Sequence, residues 1–209
     1  VVGDIYAMGL SPDLGLTTSK TVHYLPDGGS MFDNIRTGVL QAAQDHPNQH
    51  KVFLASADIP ALRPEMIQWL SDQILKKPEA LIYYTVVERK TMEKRFPNAN
   101  RSFVQFNDIA VCGGDMNAVD VRLFSVERPI WKALAEARKR PLKQARLLGL
   151  DNLVLVALRL ASLQTIVKRV EKRLSLQASA PPTPYAEMAM DADKPHQLAI
   201  LWEDLKGLA

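Results

Sequence analysis

Cysteine is almost absent. Cys112 stands alone in 209 residues, so no disulfide can form within the chain, and a reducing, cytoplasmic location is the simplest reading. Long apolar runs are missing too. The most apolar region, Leu147 to Val167, is broken by Asp151, Asn152, Arg159 and Gln164, which argues against a spanning helix. No signal peptide is visible, and there is neither an internal repeat nor a low-complexity tract. No glycine pattern makes a Walker loop or a dinucleotide fingerprint, because Gly113-Gly114 lacks the spacing and the Lys-Ser/Thr that would follow. A net charge of +3 is too small to argue for nucleic acid, and the basic stretch lacks the interleaved aromatics of a single-strand binder. No nucleic-acid partner is expected.

What is present reads as a globular chain, with 47% apolar and 23% charged residues. Its centre is the apolar run Lys51-Val52-Phe53-Leu54-Ala55, continued by Ser56-Ala57-Asp58-Ile59-Pro60. A run without polar alternation reads as a strand buried on both faces, as in a parallel sheet covered by helices. Pro60 stops it, since proline cannot donate to a ladder. Pro64 suits the first turn of a helix, Glu65 favours its positive end, and Ile67, Leu70 and Ile74 recur at helical spacing.

Other elements follow the same logic. Met8 to Lys20 reads as a surface loop, Thr21 to Leu25 as a short strand, and Pro26-Asp27-Gly28-Gly29 as a turn. Ser30 can cap a helix with Asp33 as its partner. Ile35, Val39 and Ala42 mark that helix's inner stripe, and Gly38 within it implies a close approach by the sheet or a ligand. Strands are expected over Ala80–Val87, Arg101–Phe106, Ile109–Cys112 and Val119–Val126, with an irregular excursion over Glu88–Arg101. Pro129 opens a helix through Ala137. Leu160, Leu163, Val167, Val170 and Leu174 form a helical stripe, Ser175–Thr183 a linker, Tyr185–Met190 an edge strand, and His196–Leu208 a closing helix. Alternating strands and helices through the first part of the chain argue for an α/β domain.

Two acidic clusters are candidates for chemistry: Asp58 at the end of the central strand, and Asp191 with Asp193 before the last helix. In open α/β sheets ligands collect beyond the carboxyl ends of strands, and Mg²⁺ is held by one or two carboxylates while it keeps waters and substrate phosphates. The plainer alternative is that each Asp satisfies turn or helix-start donors. Gly28-Gly29 and Gly113-Gly114 read as turns or as places of close backbone approach. His46 and His50 are four apart, but Pro47 argues against a helix presenting both as ligands. Cys112 has no neighbour marking it as a nucleophile. Between Lys132 and Arg173, eleven Lys and Arg face three Asp and Glu, a balance of +8 that leaves −5 elsewhere. That region reads as a solvated helix face, a rim attracting an anionic substrate, or an attachment to anionic lipid or nucleic acid.

Four stretches in order resemble the nucleotidyltransferases related to the molybdenum-cofactor guanylyltransferase, within the nucleotide-diphospho-sugar transferase superfamily: Gly29 to Gly38, Ser56-Ala57-Asp58-Ile59-Pro60, Gly113-Gly114-Asp115-Met116-Asn117, and Asp191-Ala192-Asp193-Lys194-Pro195. The resemblance implies a three-layer α/β/α, Rossmann-like mixed sheet of the GT-A kind. It implies one domain over 1–209, with a basic helical insertion at 132–180. Asp58, Asp191 and Asp193 then take catalytic places, with Asp58 and Asp193 as Mg²⁺ ligands. Asn34, Gly38, Gly114 and Asn117 take substrate-binding places.

The implied reaction moves a nucleoside monophosphate from a nucleoside triphosphate to a phosphorylated small-molecule acceptor, releasing pyrophosphate. The competing expectations are a non-catalytic nucleotide-binding scaffold on the same fold and a GT-A type glycosyltransferase. The family's first strand and Gly-rich triphosphate loop have no counterpart before Val1-Val2-Gly3-Asp4. The expectation is therefore an upstream segment that carries them, without which the nucleotide grip would be lost.

Overall fold

The computed structural model describes residues 3–15, 17–125, 129–137 and 141–207. Ten strands and eight α-helices alternate among them in mixed sheets, so the fold is α/β, the class expected from the sequence. No helix among the described residues is long and apolar enough to cross a membrane. The chain forms two compact units, Val1–Val52 with Asp120–Leu147, and Phe53–Val119 with Leu148–Ala209.

In the first unit, β1 (Ile5–Met8) and β2 (Val22–Leu25) pair in parallel, Ile5 opposite Val22. The loop between them contains a short 3-10 turn at Pro12–Leu14, capped by Ser11. Helix α1 (Met31–Asp45) begins as its sequence predicts: Ser30 Oγ donates to Asp33 Oδ2 at 2.5 Å and accepts from Asp33 N at 3.1 Å. Its buried face is Gly38, Val39 and Ala42, with Phe32 tilted against Phe124 at 6.1 Å between centroids. Helix α4 (Pro129–Ala137) lies against α1. Of the strand expected over Val119–Val126, Val119 and Asp120 end the strand Met116–Asp120, but Val121–Phe124 is a turn of 3-10 helix, and Val126 lies outside the described residues. The cause is Asp120, whose carboxylate accepts from Arg122 N at 2.9 Å and so turns the chain out of the extended path.

Two four-stranded sheets lie mainly in the second unit. One has the order β3 (Lys51–Ala55), β8 (Met116–Asp120), β4 (Ile82–Tyr83), β9 (Ala178–Ser179). The other has the order β10 (Pro182–Thr183), β5 (Val86–Glu88), β7 (Ala110–Gly113), β6 (Val104–Gln105). Strand β3 is half-buried rather than covered on both faces, and Ala55 is exposed. Helix α2 (Pro64–Lys76) starts at Pro64 as expected and buries Met66, Leu70 and Ile74, with Ile67 at the edge. These side chains meet Tyr83, Met116, Ala118 and Met188. Each such burial stabilises by roughly 1.5–3 kcal/mol.

The single strand expected over Ala80–Val87 is split, because Tyr84 and Thr85 carry the chain from one sheet into the other. Its neighbours cross at the same level: β7 passes to β8 through Gly114-Asp115, and β9 passes to β10. The backbone groups freed by this bend still need partners. Gly114 N donates to Thr85 O at 2.8 Å, Thr85 Oγ1 donates to Met116 O at 2.5 Å, and Thr85 N donates to Asn117 Oδ1 at 2.8 Å. Thr85 is fully buried.

Four more expectations are revised here. Glu88–Arg101 is not irregular throughout, since α3 (Arg89–Arg95) forms around buried Met92. The strand expected over Arg101–Phe106 is limited to Val104–Gln105. The Ser175–Thr183 linker contributes β9 and β10, which pair in parallel with β4 and β5. Tyr185–Met190 is a buried 3-10 turn at Ala186–Ala189 rather than an edge strand, because Glu187 turns inward to Arg63 and Arg95 at 3.3 and 2.9 Å. The remaining helices are α5 (Pro141–Leu148), α6 (Leu150–Ala157), α7 (Leu163–Leu174) and α8 (Pro195–Lys206).

Two outcomes follow from these packing arguments. Asp120 has no exposed side-chain surface and is held by Lys51 and Arg122, each at 2.8 Å. Burial opposes its charge, but these two cations lower its pKa from 3.8 to about 2. A depressed carboxylate stabilises the fold above its unfolded pKa and loses that contribution as pH falls through the folded value. Asp120→Asn should therefore reduce stability at pH 7 by about 2 kcal/mol in urea unfolding, and should flatten the acid limb of the stability profile. A Cβ on Gly114 would stand 2.2 Å from Thr85 Oγ1 and 3.3 Å from Met188 O. Gly114→Ala should destabilise by about 2 kcal/mol; an unchanged denaturation midpoint would mean the bend can widen.

Candidate functional site

The carboxyl end of β3 runs into a knot of three segments. Ser56 N donates to Asp115 O at 2.9 Å, Asp115 N donates to Met188 O at 2.8 Å, and Ala192 N donates to Asp58 O at 2.9 Å. These bonds bring residues 56–58, the bend after β7 and the 191–193 loop together. The strand expected to reach Asp58 stops at Ala55, and Asp58 lies in the turn that follows, while Pro195 opens α8 just after the 191–193 loop. The two acidic clusters read from the sequence are thus neighbours in space, although 133 positions separate Asp58 from Asp191.

Their environments differ. Oδ1 of Asp58 is buried and has no hydrogen-bond partner, a costly condition for a carboxylate oxygen unless a cation or donor arrives. Asp191, whose side chain is only 13% exposed, is hydrogen-bonded by Arg101 Nη1. Asp193 is exposed. Among the described residues no group of three or more His, Cys, Asp or Glu is gathered as metal ligands. The open oxygen of Asp58 beside the Asp193 loop nevertheless fits the one or two carboxylates by which Mg²⁺ is held, so these are the two residues that could take it.

Arg101 is the residue that sequence reasoning missed. Its other guanidinium nitrogen lies 3.6 Å from Asp115 Oδ2. Burial is the largest influence and works against the charge of Arg101, but the hydrogen bond and charge of Asp191, together with the nearby Cys112 and Asp115, raise the guanidinium above its ordinary value. Burial pushes the Cys112 thiol up against the pull of Arg101, which leaves that thiol a buried, protonated group rather than a nucleophile. Arg101 also lines a cavity of 260 Å³ with Arg89, Phe96, Asn100 and Phe103. The Arg89 guanidinium stands 4.6 Å over the Phe103 ring. The cavity offers cations on aromatic walls, a surface suited to a planar group, with Glu93 also in its lining and 3.8 Å from Arg89. In sequence Arg101 is one cation opening an alternating stretch, and nothing nearby announces its carboxylate partners.

The remaining candidates hold their own loops. Asn117 Oδ1 accepts from Thr85 N, and its Nδ2 donates to Gly114 O at 3.0 Å. Both polar ends are therefore committed at the bend, where Gly114 is packed against Thr85. In the first unit, Asn34 Oδ1 accepts from Gly28 N at 2.6 Å and its Nδ2 donates to Asp27 Oδ1 at 2.8 Å, pinning the turn before α1. The atom nearest a Cβ on Gly38 would be Met8 Sδ at 3.4 Å, so the close approach is between α1 and β1. His46 meets Asp4 at 3.2 Å, and His23 reaches the same oxygen at 2.9 Å. His50 does not share that cluster.

The Arg101–Asp191 pair makes a direct test of this geometry. Arg101→Met strands a largely buried carboxylate, which should lower stability by about 3 kcal/mol. The double variant with Asp191→Asn should recover much of that loss in a double-mutant cycle of urea unfolding.

No family model and no curated protein matches the chain. Among solved structures, a hypothetical transferase from Thermus thermophilus superposes with a TM-score of 0.78 at 31% sequence identity. The match covers 91% of this chain and 78% of that one. Identity at this level over nearly the whole chain reaches beyond a shared fold: the protein described here belongs to the same family as this Thermus thermophilus protein.

Proposed function

We propose that the protein is a transferase that moves a nucleoside monophosphate from a nucleoside triphosphate to a phosphorylated small-molecule acceptor. The observation that carries this reading is the buried, unpartnered Oδ1 of Asp58 in the turn after β3, tied through Ala192 to the Asp193 loop. Family membership with a protein described as a transferase supports the class, and the four ordered motifs support nucleotidyl transfer within it.

Asp58 and Asp193 would hold a Mg²⁺ ion, which would offset triphosphate charge and favour departure of pyrophosphate. An oxygen of the acceptor phosphate forms a bond to the α-phosphorus while the bond from that phosphorus to the bridging β-phosphate oxygen breaks, and that oxygen leaves with pyrophosphate. Arg101, held by Asp191 and lining the cavity with Arg89 and Phe103, would receive the acceptor's negative group. Gly114, Asn117 and Thr85 keep that wall in position through the bend rather than by touching substrate.

Calorimetric titration of nucleoside triphosphates with and without Mg²⁺, joined to a pyrophosphate-release assay, tests the proposal. Mg²⁺-dependent binding should weaken at least tenfold in Asp58→Asn, with pyrophosphate release falling in parallel. Binding that ignores both Mg²⁺ and Asp58 would overturn the metal role. Hydrolysis of nucleotide-sugars in preference to free triphosphates would replace nucleotidyl transfer by glycosyl transfer.

A further inference from the structure

Helices α6 and α7 carry two different outward faces side by side. On α6 and its C-terminal cap, the exposed positions are Leu150, Asp151, Val154, Ala157 and the cap Leu158, which fall on one contiguous side of a 3.6-residue helix. Leu150, Val154 and Leu158 are 55%, 53% and 62% exposed, and Leu160 just beyond the helix is 63% exposed. The inward side of α6 is Asn152 and Val156. On α7, Leu163 is buried and Ile166 and Val167 are half-buried against a cluster that includes Val86, Phe106 and Val111. That orientation leaves Lys168, Arg169, Lys172 and Arg173 exposed.

The two helices are joined by charge. Arg169 Nε donates to Asn152 Oδ1 at 2.6 Å, and its Nη2 donates to Asp151 Oδ2. The only acid on the outward face of α6 is thereby paired. The acid of α7, Glu171, is turned inward, where it accepts from Lys77 Nζ at 2.9 Å and from Ala178 N at 2.8 Å. The surface that remains is an apolar ridge beside a cationic one, with its own carboxylates consumed.

Exposed apolar side chains scattered singly need no explanation, but a contiguous row flanked by cations does. The geometry points to a peripheral docking surface for an anionic lipid bilayer. Leu150, Val154, Leu158 and Leu160 would enter the boundary between headgroups and acyl chains, while Lys168 and Lys172 reach the headgroup phosphates. The ridge projects from a helix and is not the floor of a groove, so it suits a deformable surface better than a preformed peptide. From Leu150 to Leu174 five Lys and Arg face two Asp and Glu, a balance of +3 that orients this side toward negative lipid. This inference is independent of the nucleotidyl-transfer reading, because none of these residues belongs to the Asp58 site.

Sedimentation of the full chain with phosphatidylcholine vesicles, and with the same vesicles containing phosphatidylserine, tests the surface. Binding is expected only with phosphatidylserine and should weaken as salt rises. Lys168→Glu with Lys172→Glu should lower it by tenfold or more, since each lysine near an anionic surface contributes roughly fivefold. Leu158→Asp should abolish it, whereas Leu75→Asp, at a 74% exposed leucine of α2, should leave it unchanged. Circular dichroism spectra that match the parent chain establish that these surface variants fold. Absence of binding to either vesicle, or equal binding by the parent chain and Leu158→Asp, would overturn the proposal. So would self-association by light scattering that Leu158→Asp removes, which would assign the ridge to a second copy. Retention on polyanionic heparin without vesicle binding would assign the cations to another polyanion.

Discussion

Thr85 sits where the second unit changes from one sheet to another, and the rest of that unit depends on how this bend is held. Three neighbouring segments, β4–β5, β7–β8 and β9–β10, pass from one sheet to the other here, so their ladder hydrogen bonds are interrupted together. Buried backbone groups cannot be left open, and the replacements come from Thr85, Asn117 and the peptide of Gly114. The bend also sets where Asp115 lies. Because Asp115 bonds to Ser56 on one side and Met188 on the other, the end of β3 and the 191–193 loop are fixed relative to each other by the same constraint.

Charge in this unit follows a consistent pattern. Buried and half-buried carboxylates are matched to arginines or lysines: Asp191 to Arg101, Glu187 to Arg63 and Arg95, Glu171 to Lys77. Such pairs gain little over apolar packing but make the loss of one partner expensive. Asp58 departs from the pattern, with an oxygen that is buried and unpartnered. On α6 and α7 the departure runs the other way, since the acids are matched and lysines remain at the surface.

Local chemistry was legible wherever a residue acts within its own turn or face. Ser30 with Asp33, Pro64 with Glu65, and the apolar spacing of α2 and α7 all predict the elements they make. Residues whose role is set by distant partners were not legible in this way. Asp120 reads as part of a strand, yet its bonds to Lys51 and Arg122 end that strand. Glu187 lies in a plausible edge strand until Arg63 and Arg95 draw it inward. Asn117 and Gly114 read as substrate contacts, whereas their polar groups are committed to the backbone around Thr85.

The sequence by itself determined the α/β class and most helix starts, because periodicity, capping and proline act over a few residues, whereas the central strand stops at Ala55 and leaves Asp58 in the turn beyond it. Only the tertiary structure decided that one apolar stretch serves two sheets, that Asp191 is matched by Arg101, and that Asp58 keeps an open oxygen beside the 191–193 loop. Those outcomes depend on which side chains share a buried space, and burial raises the cost of an unmatched charge only after the chain has folded around it.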